Sequence, residues 1–254
     1  VTAMCVIYDE GKRLPQDKYK LYDRIVDTVL HKRYPADKEL VTVIRGRLEA
    51  VALGMHTGDG LGQQRVTPEA SASDREIDLL LQAYQQVDGS TDKGLSDTVH
   101  VREDLLSNSG LLISRDDDRA SFYHLSIQEF MAAERLFVLR RGELQRYADL
   151  MIERGPTPGW RNTLSFVFGS IITKFNTHAG VEMLRAVVHR IALPGVDPNR
   201  RGSSAAVWSL GIVLGDCLEI LLGRGVDLPV DLQQFFERLV LRAIDQEIAV
   251  RDRQ

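Results

Sequence analysis

Apolar positions recur at helical spacing through most of the chain. Tyr22, Ile25, Val26, Val29 and Leu30 fall three and four residues apart, which predicts an amphipathic helix that opens near Pro15 and ends at Tyr34-Pro35. Ahead of it, Val1 to Tyr8 reads as the end of a buried helix, and Asp9 to Arg13 as a polar loop. A second helix runs from about Lys38 to Met55 and buries Val41, Ile44, Leu48, Val51 and Ala52. His56 to Gln64 is a glycine-rich loop, and Pro68 to Ser73 is polar and loop-like. A third helix carries Ile77, Leu80, Leu81 and Tyr84 on one side. Gly89 to Gly94 is another loop, and Val101 to Ser107 is a short helix closed by Asn108 to Gly110.

The period then drops from about 3.6 to about 2. Leu111 to Arg115 and Ala120 to His124 flank Asp116-Asp117-Asp118-Arg119, so two short strands around a polar turn form a hairpin. No other segment carries a comparable strand pattern. Ser126 with Glu129 three residues on has the form of a capping box, opening a helix to about Arg140 that buries Ile127, Phe130, Met131, Ala133 and Phe137. Helix, helix, short helix, hairpin, helix is the order of a winged helix, with the hairpin as the wing.

After Gly142 the pattern is helical throughout: Leu144 to Arg154, Trp160 to Phe175, Gly180 to Leu193, Ser204 to Leu222 and Asp231 to Ala249, separated by proline- and glycine-bearing loops. The predicted fold class is mainly α: a winged helix followed by an α-helical bundle or superhelical arm. The expected divisions are 1–36, the end of a helical domain with a connecting helix; 37–140, the winged-helix domain; and 141–254, all helical. No repeat of fixed period is present.

Composition narrows the function. Hydrophobic residues make up 44% and charged residues 27%, as in a folded globular protein, and a net charge of −4 supplies no general attraction to nucleic acid or anionic membranes. The most apolar stretch, Ala205 to Leu222, is interrupted by Asp216 and Glu219, so a membrane span is not expected. Cys5 and Cys217 give neither a disulfide framework nor zinc-ligand spacing. The start at Val1, without a methionine, reads as a cut inside a longer protein.

Catalytic patterns are not found. Gly11-Lys12 lacks the earlier glycine and the following serine or threonine of a phosphate loop. Gly58, Gly60 and Gly62 follow a helix rather than a strand. His31, His56, His100, His124, His178 and His189 form no metal-binding pair on a helix face, and Asp116 to Asp118 lack the spacing of a calcium loop. No independent enzyme and no metal site are expected.

The segment Phe122-Tyr123-His124-Leu125-Ser126-Ile127-Gln128-Glu129-Phe130-Met131-Ala132-Ala133 resembles the winged-helix signature of NACHT-family signal-transduction ATPases of the STAND class. In that family an aromatic pair and a histidine end a strand and lead into a helix that begins Ser-aromatic-Gln-Glu-aromatic. Ile127 departs from the usual phenylalanine but is also bulky and apolar. Leu105 to Leu112 and Leu14 to Val26 are similar to the family's preceding segments, and Val1 to Tyr8 to the tail of its small helical domain. Residues 1–140 carry the resemblance; 141–254 follow it only as a helical continuation.

The resemblance implies a C-terminal fragment of a cytoplasmic protein switched by exchange of ADP for ATP. The phosphate loop and the magnesium-binding residues would lie upstream, so ADP or ATP with Mg is expected in the parent protein and no cofactor in this chain. The implied partners are the upstream nucleotide-binding domain of the same protein and other copies on activation, with no nucleic acid and no membrane. One residue carries over directly: His124 is similar to the histidine that touches the ADP β-phosphate in the resting state. Read from its spacing alone, His124 is a half-buried strand-end histidine bonded to nearby backbone. Ser126, Gln128 and Glu129 are expected to cap and orient the helix, without a ligand role.

The leading function is therefore a regulatory segment that closes over a nucleotide domain and relays its state to oligomerisation or an effector. A helical scaffold for protein partners is one alternative, with Trp160 and Trp208 as core or anchor residues. A DNA-binding winged helix is the other, disfavoured by Glu103 and Asp104 beside Arg102 and by an aspartate-rich wing tip.

Overall fold

A computed structural model describes residues 17–87, 97–116, 118–191 and 204–251. The expectations for Val1 to Tyr8, Asp9 to Arg13, Pro15 and Gly89 to Gly94 fall outside them. The chain divides between Leu139 and Arg140 into two compact units.

The first unit contains α1 (Lys18–Arg33), α2 (Lys38–Thr57), β1 (Ala72–Ser73), α3 (Asp74–Val87), α4 (Thr98–Asn108), β2 (Leu112–Asp116), β3 (Arg119–Phe122) and α5 (Leu125–Leu139). Aspartates start three of the helices. Asp17, Asp37 and Asp97 each accept a backbone N–H from the first turn of α1, α2 and α4, filling donors that a helix start leaves open. Gly58 ends α2 at φ 76°, a left-handed position that costs glycine little.

α5 is the pillar of this unit. It is buried from Ile127 to Phe137, charged residues included, and its main packing partner is α2. Phe130 has no exposed surface, and the rings of Tyr19 and Tyr22 on α1 lie 5.6 and 6.2 Å from it. Where α1, α2 and α5 meet, Arg45 reaches Asp23 and Asp27 at 2.7 Å and Glu49 and Glu134 at 3.0 Å. A half-buried guanidinium is retained because these charges compensate it.

The predicted hairpin is present, but it is not the whole sheet. Ala72 and Ser73 pair antiparallel with Ala120 and Arg119, giving a three-stranded sheet in the order β1-β3-β2. The polar stretch before α3, expected to be loop, thus supplies a strand. Two residues cannot display an alternating pattern, and only β3 beside them defines the pairing.

In the second unit the helices are α6 (Leu144–Arg154), α7 (Arg161–Lys174) after a short 3₁₀ turn at Pro158–Trp160, α8 (Thr177–Ile191), α9 (Ser204–Gly223) and α10 (Val230–Arg251). α6 and α10 both pack on α8, and α7 packs on α9, so alternate helices stack in two rows. α7 is buried from Thr163 to Ile172. Trp160 is fully buried with the Arg154 guanidinium 5.1 Å from its ring, which makes it core; Trp208 is half-buried. Ion pairs Arg161–Asp216 and Arg185–Asp231 join α7 to α9 and α8 to α10. Cys217 is buried, and burial pushes its thiol well up, away from reactivity. No helix among the described residues is long and apolar enough to cross a membrane.

Candidate functional site

The wing gives the first unit a polar outer face. Along β3, Ala120 and Phe122 are buried with Leu112 and Ala72 in the core. Residues at alternate positions, Arg119, Ser121 and Tyr123, therefore belong to the opposite face. β2 would place its odd and even residues just as regularly, but the register shifts between Ser114 and Asp116. Arg115 nevertheless keeps the parity of Ile113, the partner of Ser121, and so lies on the outer face, where its Nε donates to Ser121 Oγ at 2.7 Å.

Beyond Phe122 the chain bends at Tyr123 and His124 and enters α5. Tyr123 N–H donates to the Leu111 carbonyl at 2.8 Å, which fixes the bend against the start of the wing. The structure corrects the expected start of α5. Ser126 is not the cap: its hydroxyl makes no hydrogen bond among the described residues, and the helix begins one residue earlier, at Leu125. His124 fills the role. Its carbonyl accepts from Ile127 and Gln128 N–H at 2.9 and 3.4 Å, and its ring Nδ1 accepts from Ser126 N–H at 3.2 Å. A side-chain acceptor two residues before a helical N–H does what a serine or aspartate cap does.

That bond also settles the ring's tautomer. With Nδ1 accepting, the ring proton of a neutral His124 sits on Nε2. His124 is exposed, between Tyr123 (56% exposed) and Leu125 (49%), so an apolar shoulder lies on each side of the imidazole.

His124 lines a cavity of about 480 Å³ with Arg115, Arg119, Ser71, Ser121 and Gln128 among its walls, and among the described residues no carboxylate belongs to that lining. Gln128 has no exposed surface; its Nε2 donates to the Glu69 carbonyl at 2.8 Å, and its Oε1 has no hydrogen-bond partner among the described residues. Gln128 thereby ties the first turn of α5 to the segment entering β1, and so holds Ala70 and Ser71 at the cavity's edge. Its Nε2 also lies 3.4 Å from Nδ1 of His56, a fully buried histidine whose pKa burial pushes down to about 4 despite a hydrogen bond to the Ala52 carbonyl. Glu129 is buried, and Ile127 packs in the core as its bulk predicts.

Sequence reasoning singled out His124 and missed the two wing arginines. Alternation along Ala120 to His124 could have placed Arg119 beside Ser121 and Tyr123. Alternation along Leu111 to Arg115 could likewise have placed Arg115 opposite to the buried Leu112, but its partner Ser121 is decided by pairing across the hairpin. α4, at the recognition-helix position of a winged helix, offers little to a duplex: Arg102 turns inward to Asp78 and Asp74 of α3, and Asp104 accepts from the Tyr34 hydroxyl. Among the described residues no group of histidine, cysteine, aspartate and glutamate is placed to hold a metal.

A family model described as the winged helix-turn-helix domain C-terminal to NACHT matches residues 8–136. No curated protein and no solved structure matches the chain.

Proposed function

Because the chain belongs to the family of winged helix-turn-helix domains C-terminal to NACHT, we propose that it closes over the nucleotide-binding domain of its parent protein and reports, through His124, whether ADP is bound there. The segment is the non-catalytic part of that arrangement; the phosphate loop belongs to the NACHT domain.

The observation that carries this reading is the division of labour within one imidazole. Nδ1 is spent on the N–H of Ser126, so the helix start holds the ring and Nε2–H is left as a donor at a cavity with no carboxylate among its described lining residues. A phosphate oxygen is the natural acceptor there, and a hydrogen bond to a charged acceptor contributes about 1.5–3 kcal/mol. The residues at this end of the wing fit an anion. ADP bound upstream with Mg would supply it, with His124 on the diphosphate. A contact made in the closed arrangement and lost in the open one biases the equilibrium toward the closed state by its own free energy. Opening would then expose surfaces for association between copies or for an effector.

The test is ADP retention by the full-length parent protein, wild type against His124→Ala. The reading expects co-purified ADP in the wild type and exchange about ten- to a hundredfold faster in the variant. Equal exchange rates with ADP bound in both would remove His124 from the switch. A wild-type protein that holds no nucleotide would remove the switch itself.

A further inference from the structure

Three arginines of the first unit are held by carboxylates. Arg45 meets four, Arg65 meets Glu69 and Glu76, and Arg102 meets Asp74 and Asp78. The two on the wing face are different. Arg115 donates from Nε to Ser121 Oγ, and Arg119 donates from Nε and Nη2 to the hydroxyl and carbonyl of Ser71. Among the described residues neither forms an ion pair. Each is aimed by neutral oxygens and keeps N–H donors unspent: both Nη groups on Arg115 and Nη1 on Arg119. Both line the cavity that His124 lines.

Guanidinium groups fixed by serine, with their charge uncompensated, form a preorganised receptor for a multiply charged anion. We propose that the outer face of the wing sheet is a diphosphate-binding face, in which Arg115 and Arg119 grip the phosphate chain that His124 touches. The source of that chain is the nucleotide held by the upstream domain, so the proposal rests on the reading above. It adds two cationic contacts on the strands to the histidine contact at the bend. Ser71 and Ser121 become positioning residues: they hold the arginines and need not meet the anion.

The experiment has two arms. In the first, the 254-residue chain is titrated with magnesium-free inorganic pyrophosphate at low salt, as wild type, Arg115→Gln, Arg119→Gln, the double variant, and Arg115→Lys/Arg119→Lys, each checked for unchanged far-UV circular dichroism and melting. Expected are saturable binding in the wild type, at least about tenfold weakening in each single glutamine variant, and partial retention in the lysine pair, which keeps charge but loses the fork. In the second arm, ADP release is timed from the full-length parent protein carrying the same glutamine substitutions, with a several-fold acceleration expected. Pyrophosphate binding that ignores both arginines, or no binding at all, overturns the proposal. Loss of ADP in His124→Ala with no change in the arginine variants overturns it and leaves the previous section standing. Arginine-dependent pyrophosphate binding in a protein that holds no ADP supports the anion face, assigns it to free phosphate and refutes the nucleotide reading. Arginine-dependent retardation of duplex DNA that pyrophosphate does not compete away overturns the proposal in favour of nucleic acid.

Discussion

His56 sets a sharp condition on the stability of the winged-helix unit. It sits at the end of α2 with no exposed surface, and burial carries its pKa from 6.5 down to about 4. A lowered value means that the folded state refuses a proton the unfolded chain accepts. Between those two values the unfolded state binds more protons, so stability rises with pH there and falls as the solution is acidified. Above about pH 7 the effect is absent because both states are neutral, and below about pH 4 it is complete. At about 1.4 kcal/mol per pH unit the full displacement is worth about 3 kcal/mol, of which about 2 kcal/mol is lost between about pH 7 and pH 5. The assay is urea unfolding followed by far-UV circular dichroism at those two pH values, in wild type and His56→Gln. Carboxylates elsewhere titrate alike in both proteins, so the difference between the two pH dependences isolates the histidine. The variant loses a fixed amount of stability to imperfect packing, and the wild type loses about 2 kcal/mol more than the variant on acidification. Parallel losses would refute the argument, because they would mean that His56 titrates the same way folded and unfolded.

Two other substitutions probe the core of the same unit. Phe130→Ala removes a fully buried ring from between Tyr19 and Tyr22, and is expected to cost about 3–5 kcal/mol in urea unfolding; a loss under about 1 kcal/mol would show that α1 does not depend on that contact. Arg45→Met leaves Asp23, Asp27, Glu49 and Glu134 facing one another, and is expected to cost about 3 kcal/mol at neutral pH. Salt screens that repulsion, so a melting-temperature deficit that is the same at about 0.05 M and about 1 M sodium chloride would refute the electrostatic account.

The sequence alone determined the order of the helices and the hairpin among the described residues. Helical stripes such as Ile25, Val26, Val29 and Leu30 are local: burying one face of a helix needs only a partner surface, not a particular one. The same holds for α6 to α10, placed within two or three residues of their ends. Alternation around the aspartate-rich turn marked the wing, and the residues from Phe122 to Ala133 marked the family and His124. What the sequence could not decide depends on pairing across distance. Ala72 and Ser73 are strand only because β3 lies beside them. Arg115 meets Ser121 only because β2 pairs with β3. The capping box at Ser126 and Glu129 was a sound local reading that lost to the imidazole of His124, which the bend at the end of β3 delivers to the N–H of Ser126. His56 and Gln128, distant in sequence, meet because α2 packs along α5. Local periodicity writes the elements, but a side chain's charge, partner and tautomer are set by whichever groups the packed elements bring within hydrogen-bond reach.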